Sequence, residues 1–197
     1  MPRLVVGARS DNYPGWLSTD RRAEAATPLD IRRESDWRRY FAPASIDAIV
    51  CEHVLEHMTF EDGFNALCNF RRFLRPGGFA RIAVPDGFNP DAGYQDHSSP
   101  WGFGEWLRRW LLLAPDEPGH AVHYNYLVLC ELVRRAGLTP NLLEWFDESG
   151  RFHRQPWNVS AAPVKRYLNS EYNLRVYLPW LGFQNVSLLV DAHKQGW

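Results

Sequence analysis

The clearest pattern of hydrophobic and polar positions is a strand, helix and strand unit in the middle third of the chain. Residues 46–51 form an apolar run with β-branched side chains, which predicts a buried strand. Thr59 is a predicted helix N-cap, and apolar residues then recur at helical spacing as far as the Pro-Gly-Gly sequence at 76–78. Residues 79–84 predict the next strand. This alternation indicates an α/β fold with a mainly parallel sheet.

Shorter apolar runs predict the remaining strands, at residues 4–6, 17–20, 29–31, 142–146 and 186–191. Further helices are predicted over residues 101–113, 124–136 and 164–173, and the second of these should end at Gly137. Only about ten residues separate the first two strands, whereas a parallel crossover usually needs about a dozen or more. The first crossover helix should therefore be reduced to a turn. The whole chain, residues 1–197, is predicted to form one domain.

Two long stretches rich in aromatic residues break this pattern. The first insertion, residues 87–123, follows the fifth predicted strand, and the second insertion, residues 147–185, precedes the last one. Connections of this length within a compact domain are usually functional. Six of the nine Trp residues lie between Trp101 and Trp180, and aromatic faces suit a sugar ring or a planar or hydrophobic ligand. The same residues could equally form a second core or a subunit contact, so a homodimer is an open alternative.

Composition indicates a globular protein with no membrane or nucleic-acid role. Apolar residues make up 45% of the 197, and no apolar run approaches the roughly 18 residues of a membrane span. The net charge of −1 does not favour a nucleic-acid surface. The N-terminus lacks the long apolar segment of a secretory signal, so a cytoplasmic location is expected. The three cysteines, Cys51, Cys68 and Cys130, have neither disulfide-framework nor zinc-ribbon spacing.

The polar residues at the ends of the predicted strands follow a recognisable order. Gly7 follows the first strand, Asp20 ends the second, and a Glu-His-Val-Leu-Glu-His segment at 52–57 follows the fourth. Leu-Arg-Pro-Gly-Gly and Val-Pro-Asp sequences flank the fifth. This order resembles class I S-adenosylmethionine-dependent methyltransferases, in particular a subgroup of small predicted methyltransferases. The glycine-rich loop is degenerate, since Ala8 and Arg9 follow Gly7 where the family usually has GxGxG.

The resemblance implies a Rossmann-like fold of the class I methyltransferase type, with S-adenosylmethionine as cofactor and a small-molecule or glycan acceptor. The acceptor pocket is expected mainly from the two insertions. Eight residues are expected to contact the cofactor: Gly7, Ala8, Asp20, Asp30, Ile31, Cys51, Glu52 and His53. Among these, Asp20 matches the acidic residue that binds the ribose hydroxyls, and residues 30–31 match the loop that lies on the adenine.

Methyl transfer from a sulfonium is an in-line displacement, in which positioning matters more than charge stabilisation. An oxygen acceptor would also use a base, and histidine titrates near neutral pH. The candidate bases are His53, Asp86, His120 and His123. Of these, His123 is favoured because the resemblance places it on the acceptor side.

Two other functions stay open from the sequence alone. The degenerate glycine loop is compatible with a catalytically inactive methyltransferase-like domain that binds or regulates a partner. Residues 53–57 also spell HxxEH, the inverted zinc-peptidase signature, in which two histidines on one helix bind zinc. That chemistry needs a continuous helix, whereas a strand runs into His53 and a new N-cap follows at Thr59. The zinc peptidase is therefore the weaker alternative, and no metal site is predicted.

Overall fold

The computed structural model describes residues 1–8, 13–103 and 119–196, and a seven-stranded sheet lies at its centre. The strands are β1 (Arg3–Val6), β2 (Leu17–Thr19), β3 (Ile46–Glu52), β4 (Leu74–Pro85), β5 (Thr139–Phe146), β6 (Phe152–Arg154) and β7 (Ser187–His193). Their order across the sheet is β2-β1-β3-β4-β7-β5-β6. Strands β1 to β4 pair in parallel, and β7 runs antiparallel to both β4 and β5. The first five strands therefore point the same way, and their carboxyl ends share one edge of the sheet.

The helices of the described residues are α1 (Glu34–Tyr40), α2 (Phe60–Phe73), α3 (Ala92–Ser98), α4 (Tyr126–Arg135) and α5 (Leu178–Leu181). Single turns of 3₁₀-helix occupy Leu55–His57 and Val159–Ala161, and a π-helical turn, Asn173–Tyr177, leads into α5. None of these helices is long and apolar enough to cross a membrane.

Helix α2 begins where the sequence predicts it. The Thr59 side chain accepts a hydrogen bond from the Asp62 amide at 3.1 Å, which satisfies one of the unpaired amides of the first turn. Acidic residues occupy the first turn and Arg71 and Arg72 the last, an arrangement that the helix dipole favours. Helix α4 is capped in the same way by Asn125, and Gly137, with φ of +77°, follows its end. Both helices are confirmed.

The main core lies between the first strands and helices α1 and α2. Trp37 is fully buried, and its ring stacks on Phe73 at 5.2 Å and meets Phe70 edge-on at 5.8 Å. The Trp37 indole N–H donates to the Ile31 carbonyl, so its polar atom is satisfied within the core. Aromatic packing of this kind fixes α1 and α2 on one face of the sheet.

The predicted strand at residues 29–31 is wrong. Leu29 and Ile31 are buried, but a single bridge between Asp20 and Pro28 is the only parallel pairing near this segment among the described residues. The Asp30 carboxylate binds the Arg32 guanidinium through two hydrogen bonds of 2.7 and 2.8 Å, which turns the chain toward α1. The sequence pattern resembled a strand because the buried residues Leu29 and Ile31 flank the polar Asp30. The turn that Asp30 forms with Arg32 prevents this segment from pairing with a strand.

The helix predicted over residues 164–173 is also wrong. The backbone amides of Lys165, Arg166 and Leu168 bond to buried carboxylates on the sheet rather than to helical carbonyls. Helical structure begins only at residue 171 and continues through the π-helical turn into α5. The helix predicted over residues 101–113 lies mostly outside the described residues.

The predicted fold class itself is confirmed. The central strands are parallel, the sheet is of the α/β type, and residues 13–16 form a turn in which the Trp16 amide donates to the Tyr13 carbonyl. Strand β4 is longer than predicted, because the Pro-Gly-Gly sequence at 76–78 falls inside the strand. Gly78 lies against the backbone of β3, where an added Cβ would come within 2.9 Å of the Asp47 carbonyl oxygen.

Candidate functional site

A cavity of about 250 Å³ opens at the carboxyl edge of the sheet. Its floor comes from the end of β1, including Gly7 and Ala8, and from Glu52 and His53 at the end of β3. Its walls come from both insertions: α3 and His120 belong to the first, and lining residues between 165 and 185 to the second. In a mainly parallel sheet this edge is where ligands bind, so the cavity is the candidate active site.

Gly7 occupies a conformation that an L side chain rarely adopts. Its φ is +65°, and a Cβ at this position would lie 2.5 Å from Cγ2 of Val54. The glycine therefore allows the end of β1 to approach the turn that follows β3. Residues 9–12, including Arg9 of the degenerate loop, lie outside the described residues.

Glu52 ties the second insertion to the sheet. Its buried carboxylate accepts hydrogen bonds from the Lys165 amide at 2.9 Å and from the Arg166 amide at 2.8 Å. Burial raises the pKa of Glu52, and these donors with the Arg166 guanidinium oppose that effect. The side chain therefore shapes the cavity as well as lining it.

His53 links three elements behind the cavity floor. It has a left-handed φ of +54°, which ends β3 and turns its ring between Ser187 and Glu56. The Nε2 atom lies 2.8 Å from the Ser187 hydroxyl, and Nδ1 lies 3.0 Å from Oε1 of Glu56. Burial lowers the pKa of His53 to about 4, so its imidazole is neutral near pH 7.

Three further side chains converge beside His53. One ligand atom each from Glu56, His57 and His120 lies within 4.8 Å of the other two. The His57 and His120 rings face the cavity, with centroids 4.9 Å apart, and Glu56 is fully buried behind them. Because Leu55–His57 is a single 3₁₀ turn and not part of a continuous helix, His53 and His57 do not form the zinc pair of an HxxEH peptidase.

Cations and tyrosines line the side of the cavity that faces the second insertion. The Lys165 ammonium lies over the rings of Tyr13 and Tyr172, at 5.2 and 5.7 Å from their centroids. The Arg166 guanidinium donates to the Tyr177 hydroxyl at 3.1 Å. Sequence reasoning expected Trp faces here, but no Trp of the described residues lines the cavity, and Trp101 and Trp180 are more than 80% exposed.

Four of the eight predicted cofactor residues lie at the cavity and four do not. Gly7, Ala8, Glu52 and His53 line it, whereas Asp20, Asp30, Ile31 and Cys51 lie elsewhere. Asp20 follows β2, and its carboxylate accepts two 3.0 Å hydrogen bonds from Arg22. Ile31 and Cys51 are core residues. The roles predicted for all eight in cofactor binding stay predictions.

Two of the predicted bases do not face the cavity. Asp86 is fully buried, and its carboxylate accepts from the amides of Phe88 at 3.0 Å and Phe146 at 2.8 Å. Burial raises the pKa of Asp86 to about 6. His123 is partly buried beside Gly87, and its Nε2 has no hydrogen-bond partner among the described residues. Their catalytic roles stay predictions that these positions do not support, whereas His120 does face the cavity.

Most of the residues that the second insertion brings to the site could not be predicted from the sequence. Lys165, Arg166, Tyr172 and Tyr177 lie in a segment without periodicity, His97 gave no signal, and His57 was noted only as part of the HxxEH motif. The one useful indication was that both insertions should contribute to the pocket, and in the structure both line it.

Comparison with known proteins agrees with this geometry. Residues 10–82 match the methyltransferase domain family. Comparison with curated proteins finds no significant match. Among solved structures, a SAM-dependent methyltransferase from Methanosarcina mazei is 12% identical with a TM-score of 0.55, and the alignment covers 100% of this chain and 93% of that one.

Two other solved structures show the same fold. A SAM-dependent methyltransferase from Thermotoga maritima, described as a possible histamine N-methyltransferase, is 9% identical with a TM-score of 0.55 and coverages of 98% and 82%. A Burkholderia thailandensis 1,6-didemethyltoxoflavin-N1-methyltransferase with bound S-adenosylhomocysteine is 13% identical, with a TM-score of 0.51 and coverages of 98% and 72%.

The sheet order and the similar solved structures show that the chain has the fold of class I S-adenosylmethionine-dependent methyltransferases, and the domain match over residues 10–82 agrees with it. The alternative of an inactive binding domain is not favoured.

Proposed function

We propose that the protein is an S-adenosylmethionine-dependent methyltransferase that acts on a small polar acceptor, either a hydroxylated or anionic metabolite or the terminal sugar of a glycan. The observation that carries the proposal is the cavity at the ends of β1 and β3. Its volume of about 250 Å³ is slightly below the roughly 300 to 1,000 Å³ typical of small-molecule pockets. A cavity of this size accommodates a small molecule or one sugar ring.

The chemistry of the lining supports a polar acceptor. Four histidines, three tyrosines, Lys165 and Arg166 contribute side chains, and few aliphatic side chains do so. The described lining residues carry the positive charges of Lys165 and Arg166 and the negative charge of Glu52. This small positive excess favours an acceptor with a carboxylate, a phosphate or several hydroxyl oxygens.

The donor side of the proposal rests on the ends of β1 and β2. S-adenosylmethionine supplies an activated methyl group on a positively charged sulfur. Gly7 and Ala8 offer backbone at the cavity floor, and Asp20 stands at the end of the neighbouring strand β2. A carboxylate can accept hydrogen bonds from two ribose hydroxyls, and Asp20 would do so by exchanging its bonds with Arg22.

Proton removal from the acceptor falls to a histidine that faces the cavity. His53 is a weak base, because burial lowers its pKa and both ring nitrogens are engaged. His57, His97 and His120 face the cavity directly. The cavity lining therefore contains imidazoles as well as Lys165 and Arg166, so an acceptor oxygen bound there could contact both a base and a cation.

Calorimetry with S-adenosylmethionine and S-adenosylhomocysteine tests the donor side. We expect micromolar binding of both, and Asp20→Asn should weaken it by about tenfold or more, the loss of roughly 1.4 kcal/mol expected for charged hydrogen bonds. Glu24→Gln is the matched control, since Glu24 is an exposed acidic residue a few positions away and should leave affinity unchanged.

Transfer of an isotopically labelled methyl group to a panel of small acceptors tests the acceptor side. Labelled products should come from sugars, hydroxy acids or phosphorylated compounds and not from apolar acceptors. Absence of cofactor binding at millimolar concentration would overturn the proposed donor site. Labelling of apolar acceptors alone would overturn the acceptor class and leave the donor site standing.

A further inference from the structure

Glu56 is a buried charge without a hydrogen-bond partner. Its side chain has no exposed surface, and neither carboxylate oxygen has a partner among the described residues. His53 Nδ1 lies at ion-pair distance, 3.0 Å from Oε1, but is not aligned for a hydrogen bond. Isolated carboxylates are costly to bury, so such groups in proteins are normally paired or bind a metal ion.

Two histidines near this carboxylate are each held by a backbone carbonyl. His57 Nδ1 lies 3.2 Å from the Gly119 carbonyl oxygen, and His120 Nδ1 lies 2.6 Å from that of Ser98. A carbonyl oxygen only accepts, so in each ring the proton is on Nδ1 and Nε2 carries the lone pair. A carbonyl that holds the remote N–H of an imidazole in this way is typical of histidines that bind metals.

We propose that Glu56, His57 and His120 bind a divalent transition-metal cation. Two imidazole nitrogens and one carboxylate oxygen within 4.8 Å of one another form a donor set of the kind that binds zinc, iron or manganese. Calcium and magnesium fit less well, because they prefer oxygen ligands. The cation would neutralise the buried charge of Glu56, which no cationic side chain pairs in the described structure.

The site would belong to the wall of the cavity. His57 and His120 both line the cavity and Glu56 lies behind them, so the remaining coordination positions face the space assigned to the acceptor. His53 is not a ligand in this arrangement, since its two nitrogens contact Ser187 and Glu56 and hold the carboxylate in place. The donor set thus differs from the HxxEH pair that the sequence spells.

The sequence predicts no metal site because His120 is far from His57 along the chain and no spacing rule joins them. The first insertion brings them together: the Ala121 and Val122 amides donate to the Glu56 carbonyl, at 2.6 and 3.1 Å. These bonds fix His120 beside the turn that carries Glu56 and His57.

Metal binding by the purified, tag-free protein tests the inference without any assay of methyl transfer. The metal-stripped protein is titrated calorimetrically with Zn²⁺ and spectroscopically with Co²⁺. We expect one cation per chain, with a Co²⁺ spectrum typical of mixed nitrogen and oxygen ligands. Replacing a residue that only orients a metal ligand costs about 10–100-fold in affinity. His120 and Glu56 are proposed as ligands themselves, so His120→Gln and Glu56→Gln should each weaken binding by about 100-fold or more.

His97→Gln is the matched control, because His97 lines the same cavity but is not one of the three converging residues. It should bind the cation as the unchanged protein does. Equal losses in all three variants, or no saturable binding by the unchanged protein, would overturn the site.

Thermal unfolding keeps the test informative if a variant folds poorly. Zn²⁺ should raise the Tm of the unchanged protein by several degrees and leave that of His120→Gln nearly unchanged. In the metal-free state Glu56→Gln should still fold, because glutamine has nearly the size of Glu56 and leaves no buried charge. A strongly destabilised Glu56→Gln together with an unmoved Tm on Zn²⁺ addition would mean that His53 alone compensates the carboxylate.

Discussion

Two regions of the molecule are stabilised by different kinds of contact. One is the part of the sheet that carries α1 and α2, and the other is the second insertion. The first region packs aromatic and aliphatic side chains, and the fully buried Trp37 contacts the equally buried rings of Phe70 and Phe73. In the second insertion, buried charges on the sheet bind backbone and indole groups. Arg81 donates to the carbonyls of Asn158 and Ala162, and Glu144 accepts from Trp157 and Leu168.

The difference shows what each kind of contact provides. Apolar packing is non-directional and stabilises whatever brings enough surface together. A buried guanidinium or carboxylate must have its hydrogen bonds satisfied in particular directions, so it fixes the course of an irregular segment. The second insertion lines the cavity, and its charged anchors therefore determine the shape of the active site.

The largest expected effect concerns the apolar region. Trp37→Ala removes the side chain at the centre of the aromatic core and should lower the free energy of unfolding by about 3–5 kcal/mol. Urea denaturation followed by fluorescence and circular dichroism measures it, and both probes should shift together. Trp180→Ala is the control, since Trp180 is 81% exposed and should change stability by less than about 0.5 kcal/mol. A loss below about 1 kcal/mol for Trp37→Ala would contradict the assigned role of this core.

The second prediction concerns a charged anchor. Arg81 is nearly fully buried and binds the two Asp191 oxygens at 2.8 Å each, so Arg81→Met leaves Asp191 without its partner. We expect a loss of about 3 kcal/mol, and amide hydrogen exchange should accelerate more in residues 157–164 than in α2. Arg81→Met with Asp191→Leu should recover part of the loss. Equal acceleration of amide exchange in residues 157–164 and in α2 would mean that Arg81 stabilises the whole domain and not the second insertion in particular.

The third prediction concerns the junction of the two regions, where Asp86 at the end of β4 binds the Phe146 amide at the end of β5. Burial raises its pKa from 3.8 to about 6, so the native state binds this proton more tightly than the unfolded chain. The stabilisation is complete below pH 4 and is lost as pH rises through 6, an effect of about 2–3 kcal/mol.

Denaturation at several pH values measures that effect. Asp86→Asn lacks the titration, so the stability difference between the protein and this variant should shrink by about 2 kcal/mol between pH 4.5 and 7.5. A difference that grows with pH would show instead that the backbone amides of Phe88 and Phe146 stabilise the ionised carboxylate more than burial destabilises it.

Those parts of the fold whose burial is periodic could be predicted from sequence. Strand β3 and helices α2 and α4 have regular apolar positions and local capping signals at Thr59 and Gly137. The segment at residues 29–31 has strand-like alternation, but the paired side chains of Asp30 and Arg32 form a turn that competes with strand pairing. The alternation of apolar and polar residues in such a short segment cannot show whether the rest of the protein favours a strand or a turn there.

The cavity floor followed from the rule that strand ends meet at one edge of the sheet, and Glu52 and His53 lie there as expected. The residues contributed from a distance did not follow. Arg166 lies at the site because its backbone amide donates to the Glu52 carboxylate. His120 lies there because backbone amides of the first insertion donate to the Glu56 carbonyl. Such pairings depend on hydrogen bonds between residues far apart in sequence. The periodicity of apolar positions along a segment does not indicate these bonds.

Gly7 lies so close to Val54 that the residues tolerated at position 7 depend on the residue at position 54. A Cβ at position 7 would overlap Cγ2 of Val54, so alanine there requires a smaller residue at position 54 as well as a backbone change away from φ of +65°. The order in which substitutions arise then matters: a reduction at 54 opens the way for change at 7, whereas the reverse order passes through a strained intermediate. Substitutions in the loop after β1 and in the turn after β3 are thus coupled by contact, although the two segments lie in separate parts of the sequence.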